Sequence, residues 1–217
     1  MTLLLPNEDS ARDYVRSNFA PSEQQWSALE RYASYLTDEN ERQNLVAAST
    51  IPNLWVRHLA DSAQLLSHAK TTLGAWIDLG SGAGLPGLVI AILREDPIIL
   101  VESRKLRCNF LRDMVEALGL KNVTVADMRL ELLESFPAAV ISARAFAPLE
   151  KLMNLANRFA QEETLWLLPK GRNAVNELEA LPQAWQTMFH VEHSLTDVDS
   201  RILVGRGQIP AKRRGKA

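Results

Sequence analysis

The chain has one cysteine, Cys108, among 217 residues. A single thiol cannot close an internal disulfide or build a cysteine zinc site. That excludes a disulfide-stapled secreted scaffold and points to a reducing, cytoplasmic compartment. Long apolar runs are also missing. Leu3 to Leu5 is too short for a signal-peptide core, and no stretch reaches the roughly 20 apolar residues of a membrane span, so no membrane partner is expected. Charge of one sign is not in excess: 24 Lys and Arg stand against 26 Asp and Glu, a net charge of -2. No global basic field advertises a nucleic-acid partner, so basic groups that bind one must be gathered locally. There is no internal repeat and no low-complexity segment. His68, His190 and His193 show no ligand spacing, and no metal site is expected. What is present is one domain's length of chain with 47% hydrophobic residues, an ordinary fraction for a globular core.

The organising stretch is Trp76-Ile77-Asp78-Leu79-Gly80-Ser81-Gly82-Ala83-Gly84-Leu85-Pro86-Gly87. It reads as a buried strand, a glycine turn and the start of a helix, with Pro86 in the first turn, where its missing N–H costs nothing. Glycines at every second position let a backbone turn sharply and approach a ligand, with helix N–H groups aimed at it. Two readings compete. Gly82 to Gly87 fits the dinucleotide pattern G-x-G-x-x-G, with Glu102 lying 20 residues after Gly82. Alternatively, Asp78 followed by Gly80, Gly82 and Gly84 resembles motif I of the S-adenosyl-L-methionine (AdoMet)-dependent methyltransferases. The second reading is favoured, because a dehydrogenase strand has little use for a carboxylate at the Asp78 position. A turn without a ligand is the bland alternative.

Residues 1–67 read as helical. Asn7 to Phe19 is a first helix ending before Pro21. Ser22 with Gln25 makes a capping box that opens a second, running to about Asn40 with Trp26, Leu29, Ala33 and Leu36 on one face. Thr50 and Pro52 start a third, carrying Leu54, Trp55, Leu59 and Leu65. Arg57-His58 and Asp61-Ser62 lie on it, and surface charge and a functional role are both open readings for them. From Ala75 strand and helix alternate, which predicts a parallel sheet with helices on both faces. The expected strands are Ala75 to Leu79, Ile98 to Val101, Val123 to Ala126, Ala139 to Ser142 and Thr164 to Leu168. Thr187 to His193 and Arg201 to Val204 follow as an antiparallel pair. The helices between are Lys105 to Leu118, stopped at Gly119, then Leu149 to Phe159 and Val175 to Leu181. In such a sheet ligands sit beyond the carboxyl ends of the strands. The polar residues there are the Gly80 loop, Glu102, the Asp127 to Glu131 segment, Arg144 and Lys170. They converge only if the strand order is doubly wound.

Further features extend the resemblance over nearly the whole chain. They are Asn44-Leu45, Trp55-x-Arg57-His58-Leu59-x-Asp61-Ser62, Leu85-Pro86-Gly87, Glu102-Ser103, Lys105-x-Arg107 and Phe110-Leu111. Arg129-x-Glu131, Arg144-Ala145-Phe146-Ala147, Lys170-Gly171 and Glu177 follow in order. In this set the chain resembles the RsmG (GidB) family, which methylates guanine N7 in bacterial 16S ribosomal RNA. The resemblance implies a Rossmann-like α/β fold: a seven-stranded class I methyltransferase sheet with helices on both faces and an N-terminal helical extension. It implies a helical extension over 1–67 and a methyltransferase domain over 68–209, and the residues themselves predict a basic, mobile tail over 210–217. It implies AdoMet as cofactor, held by Asp78, Gly80, Gly82, Gly84, Leu85, Glu102, Leu130, Glu131 and Arg144. Leu130 and Glu131 would lie beside the adenine and Glu102 would hold the ribose. Arg144 and Lys170 are the expected catalytic residues; Arg57, His58 and Lys170 are expected to meet the RNA. The implied target is guanine 527, in the 530 loop, within 16S rRNA or the small ribosomal subunit, whole or partly assembled. Two departures are mild: Glu102 stands where many members have Asp, and Ala143 where many have Ser.

The residues fit that chemistry. Guanine N7 carries a free lone pair, so in-line transfer from a sulfonium needs placement rather than a general base. Dipoles or a carboxylate can then stabilise the charge that moves onto the imidazole ring. There is no Pro-Pro pair for the Asn/Asp-Pro-Pro-aromatic motif of amino methyltransferases. Cys108 falls inside a helix, which argues against a cysteine-dependent C5 methylation. The helix after Glu102 gathers Arg104, Lys105, Arg107 and Arg112, a local basic group for looped RNA. The rival readings are a nicotinamide-dependent oxidoreductase, a non-catalytic RNA-binding module, and an AdoMet methyltransferase acting on another RNA or a small molecule.

Overall fold

The computed structural model describes residues 4–209, so the basic tail lies outside the described residues. Helix α1, Glu8–Phe19, opens on a capping box between Asn7 and Ser10 and closes on Ala20, whose φ of 42° is left-handed. Helix α2, Glu23–Gln43, opens on the expected Ser22–Gln25 box and runs past Asn40 to a left-handed Asn44. Each box satisfies N–H groups that the first turn leaves without helical partners. Trp26, Leu29, Ala33 and Leu36 are buried along α2 as their spacing predicts. Trp26 stacks on Trp55 at 4.9 Å between ring centroids.

The third helix differs from the regular one expected. A 3₁₀ turn, Ala48–Asn53, leads into a π-helical turn, Trp55–Ala60. The one-turn helix α3, Asp61–Ala63, and a second 3₁₀ stretch, Gln64–His68, complete it. Pro52 supplies no N–H to the ladder. The carboxylate of Glu8 accepts from the N–H groups of Trp55 and Val56, both at 2.9 Å, and so replaces helical acceptors at that point. π turns cluster at functional sites, and this one carries Arg57 and His58.

Seven strands form one sheet in the order β3-β2-β1-β4-β5-β7-β6. They are β1 (Trp76–Leu79), β2 (Ile98–Glu102), β3 (Val123–Asp127), β4 (Val140–Ala143), β5 (Leu165–Lys170), β6 (Phe189–His193) and β7 (Arg201–Arg206). The first five are parallel. Strand β7 runs antiparallel beside β5, and β6 pairs antiparallel with β7. Helices α4 (Gly87–Leu93), α5 (Lys105–Leu118), α6 (Leu149–Ala156), α7 (Ala174–Glu179) and α8 (Gln183–Gln186) connect them. The order turns at β1, between β2 and β4, which opens a crevice at the carboxyl ends.

Alternation along β1 shows how the layers are filled. Trp76 joins the apolar cluster that holds α2, the π-helical turn and α4. Ile77 and Leu79 join the opposite cluster, with Leu152, Met153 and Trp166. Two local expectations shift. Lys170 is the last residue of β5, opposite Arg201, rather than part of a following loop. The helix expected over Val175 to Leu181 ends at Glu179, and α8 follows Pro182, whose ring cannot continue a ladder. No helix among the described residues is long and apolar enough to cross a membrane.

Candidate active site

The glycine turn is tied down from three sides. Gly80, Gly82 and Gly84 have φ of 67°, 56° and 90°, conformations that a side chain rarely adopts. The N–H groups of Gly80 and Ser81 donate to Val101 O at 2.8 and 3.0 Å, fastening the loop to β2. The buried Tyr32 hydroxyl of α2 donates to Ala83 O at 2.8 Å. A side chain on Gly80 would also meet the ring of Phe146, 2.5 Å from the Cβ position.

Asp78 braces this turn from behind. It is wholly buried, and its two oxygens accept from Ser142 Oγ at 2.7 Å and from Gly87 N at 3.3 Å. The same Ser142 hydroxyl accepts from Trp76 Nε1 at 2.9 Å. One carboxylate thus joins β1, β4 and the start of α4. Burial pushes its pKa up, and the bonds from Ser142, Ser81 and Gly87 oppose that. Asp78, Gly82, Gly84 and Leu85 therefore build the loop without lining either cavity described below, whereas Gly80 lines one of them.

The smaller cavity, about 300 Å³, lies beyond β1, β2 and β3, with Gly80, Glu102, Leu130, Glu131 and Phe146 in its wall. Glu102 ends β2. One oxygen accepts from Ser103 N and Arg104 N at 2.7 and 2.8 Å, the other from Gly82 N at 3.1 Å. Four lone-pair sites on a carboxylate leave room for a further donor such as a ribose hydroxyl. Arg158 donates to the carbonyls of Leu130 and Leu133, which fixes the segment holding Leu130 and Glu131. Bare backbone at Gly80, an acid at the strand end and apolar Met128, Leu130 and Leu155 are the donor and contact set of a nucleoside site, so the residues fit the expected cofactor.

The larger cavity, about 910 Å³, adjoins it, and Ala145, Phe146 and Ala147 line both. Ala145 has a left-handed φ of 53°, which swings the chain after β4 between the two spaces. Arg57, His58, Arg144 and Lys170 all face this larger cavity. His58 is only 6% exposed, so the surface-charge reading fails for it and for Ser62, which is 1% exposed and donates to His58 O. Arg144 contacts His58 Nδ1 at 3.2 Å, and His58 Nε2 contacts Thr50 Oγ1 at 2.7 Å. A guanidinium only donates, so Nδ1 accepts and the His58 proton sits on Nε2. Burial, with Arg144 and Arg57 nearby, lowers the His58 pKa to about 3 and keeps it neutral.

Each predicted substrate cation already faces an acid. Arg57 pairs with Asp197. Arg144 lies 3.6 Å from Asp61, and Lys170 lies 2.8 Å from Glu177. Asp61 is held in turn by Thr196 Oγ1 at 2.6 Å and Gln64 Nε2 at 2.9 Å. The basic group on α5 is divided likewise: Lys105 and Arg112 pair with Asp127, and Arg107 turns toward Glu102. Sequence reasoning missed Asp197 and the Tyr32 brace, and named Asp61 and Glu177 without giving them a role. The spacing of His58, Asp61 and Ser62 on one helix face was the available signal for part of it. Cys108 is buried in α5 and donates to Glu102 O at 3.3 Å.

Among known proteins, the sequence model of a family described as rRNA small subunit methyltransferase G matches residues 25–203. The ribosomal RNA small subunit methyltransferase G of Sphingopyxis alaskensis is 59% identical over 99% of this chain and 92% of its own. That of Erythrobacter litoralis is 52% identical over 94% of this chain and 99% of its own. Among solved structures, a variant of MtNAS in complex with S-adenosylmethionine superposes with a TM-score of 0.56 at 18% identity, covering 93% of this chain and 84% of that one, a likeness of fold. With a sheet order, two adjoining cavities and full-length identity in agreement, the chain belongs to the rRNA small subunit methyltransferase G family.

Proposed function

We propose that the protein transfers a methyl group from AdoMet to N7 of guanine 527 in the 530 loop of bacterial 16S rRNA, in the cytoplasm. The observation that carries this reading is the pair of cavities at the strand carboxyl ends, sharing the Ala145–Ala147 wall. One has the residues of a nucleoside site; the other is large enough for a nucleobase.

In this reading Glu102 takes the ribose hydroxyls, Gly80 leaves room for the amino-acid end, and Leu130 and Glu131 flank the adenine. Asp78, Gly82, Gly84 and Leu85 serve by shaping the loop. When bound, AdoMet supplies a methyl group already activated on a sulfonium. Arg144 and Lys170 orient the base, and His58 holds Arg144 while Arg57 meets the RNA strand. No residue must remove a proton, because N7 attacks through a free lone pair, and the neutral, donor-saturated His58 agrees with that. Placement of N7 in a near-attack geometry does most of the work. The substrate is the small subunit or a partly assembled precursor of it.

Calorimetric titration with AdoMet and, separately, with NAD separates this reading from the oxidoreductase one. AdoMet is expected to bind with one site per chain while NAD gives no saturable heat. Binding of NAD alone would overturn the proposal.

A further inference from the structure

The Lys170–Glu177 pair lines the larger cavity and not the smaller one, in elements that make no part of the glycine loop. Lys170 closes β5 and Glu177 stands on α7. The Lys170 side chain is 12% exposed and that of Glu177 34%, so the ammonium is largely shielded, the carboxylate is partly open to water, and both line the cavity. Their contact uses one ammonium hydrogen and Glu177 Oε2. An ammonium has three donors and a carboxylate about four acceptor sites. The pair therefore has spare donors beside spare acceptors.

That sequence of groups matches one nucleobase edge. Guanine offers the O6 acceptor, then the N1–H and N2–H donors. An ammonium next to a carboxylate is their complement. Adenine presents an amine to the ammonium and a bare N1 to the carboxylate, so both contacts become repulsive. Held by O6, N1 and N2, a guanine keeps its N7 lone pair free on the imidazole side. The cavity also lacks surplus positive charge, since Arg57 and Arg144 each face an acid of their own. A neutral base gains more from such a cavity than a phosphate does.

We propose that Glu177 selects guanine: its carboxylate accepts from N1–H and N2–H while Lys170 donates to O6. The inference rests on the guanine-N7 reading above and deepens it. Glu177 is then a specificity residue that touches the substrate, and it is more than a tether for Lys170.

The test uses small subunits reconstituted with 16S rRNA carrying guanine or inosine at the target position. Inosine keeps O6, N1–H and N7 and lacks only the N2 amine. The wild-type enzyme is expected to prefer guanine by about 10- to 100-fold in kcat/KM, the worth of one hydrogen bond to a charged acceptor. In Glu177→Gln the guanine rate falls toward the inosine rate, and the ratio shrinks to about threefold or less. AdoMet affinity and melting temperature stay at wild-type values, which shows that the variant is folded. Lys170→Met, removing the donor both bases use, lowers both rates and keeps the ratio. A Glu177→Gln enzyme that loses activity on both bases equally, with the wild-type ratio intact, would overturn the inference, as would a wild type indifferent to inosine. A wild type that binds AdoMet but labels no guanine N7 in the subunit would instead overturn the parent reading and this inference with it.

Discussion

At the scale of single residues, the site works through groups whose second partners fix the first. Glu102 accepts from three backbone N–H groups before any ligand arrives. Glu102→Ala removes the acid that these donors orient, and AdoMet affinity should fall about 10- to 100-fold, as measured by calorimetry. His58 behaves differently because its charge is suppressed. Its pKa lies at about 3 in the fold, lowered first by burial and then by Arg144 and Arg57, against the ordinary value near 6.5 in an unfolded chain. The unfolded state therefore binds the proton first as pH falls. The stability His58 contributes is full above pH 6.5 and is lost progressively as pH drops toward 3. Melting curves at pH 7.5 and pH 5 should show that loss in the wild type and less of it in His58→Gln. Equal losses would show that another group carries the pH dependence. Residue identities were legible where the chemistry is local, as with Glu102 at the end of a strand. The role of Asp197 was not legible, because its partner lies elsewhere in the chain: the Arg57–Asp197 pair spans 140 residues.

At the scale of elements, the glycine turn is a shared product of three segments distant in sequence. Strand β1 supplies its backbone, β2 holds it by Val101 O, and α2 holds it by the Tyr32 hydroxyl. The N-terminal helices therefore act on the cofactor side as well as packing on the sheet. Tyr32→Phe leaves the buried Ala83 carbonyl without its donor. That should cost about 1–3 kcal/mol of stability and weaken AdoMet binding several-fold. Unchanged affinity with lowered stability would confine Tyr32 to the fold. Capped helices and alternating strands were readable because their signals are local: the Ser22–Gln25 box and the α5 boundaries fall where the sequence puts them. The π-helical turn was not, because the acceptor that displaces its ladder is Glu8, 47 residues from Trp55.

At the scale of the whole molecule, charge pairing sets how RNA is approached. Net charge is -2, and the cations Arg57, Arg144 and Lys170 of the larger cavity, with Lys105, Arg107 and Arg112 of α5, each face a carboxylate. With these cations already neutralised, few counterions are released when they meet naked RNA, so the affinity they supply there is low at physiological salt. Methylation of refolded 16S rRNA at that salt should run well below that of small subunits, and equal rates would contradict this. The parallel sheet with helices on both faces was implied by the alternation of strands and helices, and its seven strands by the family resemblance, whereas the doubly wound order with its crevice at β1 was left open. The sharing of one wall by two cavities was not legible, because it depends on the left-handed turn at Ala145. The most direct measurement is methyl transfer from labelled AdoMet to small subunits of cells lacking this enzyme, with the modified nucleotide mapped. Label is expected at N7 of guanine 527. AdoMet binding without label on 16S rRNA would contradict it.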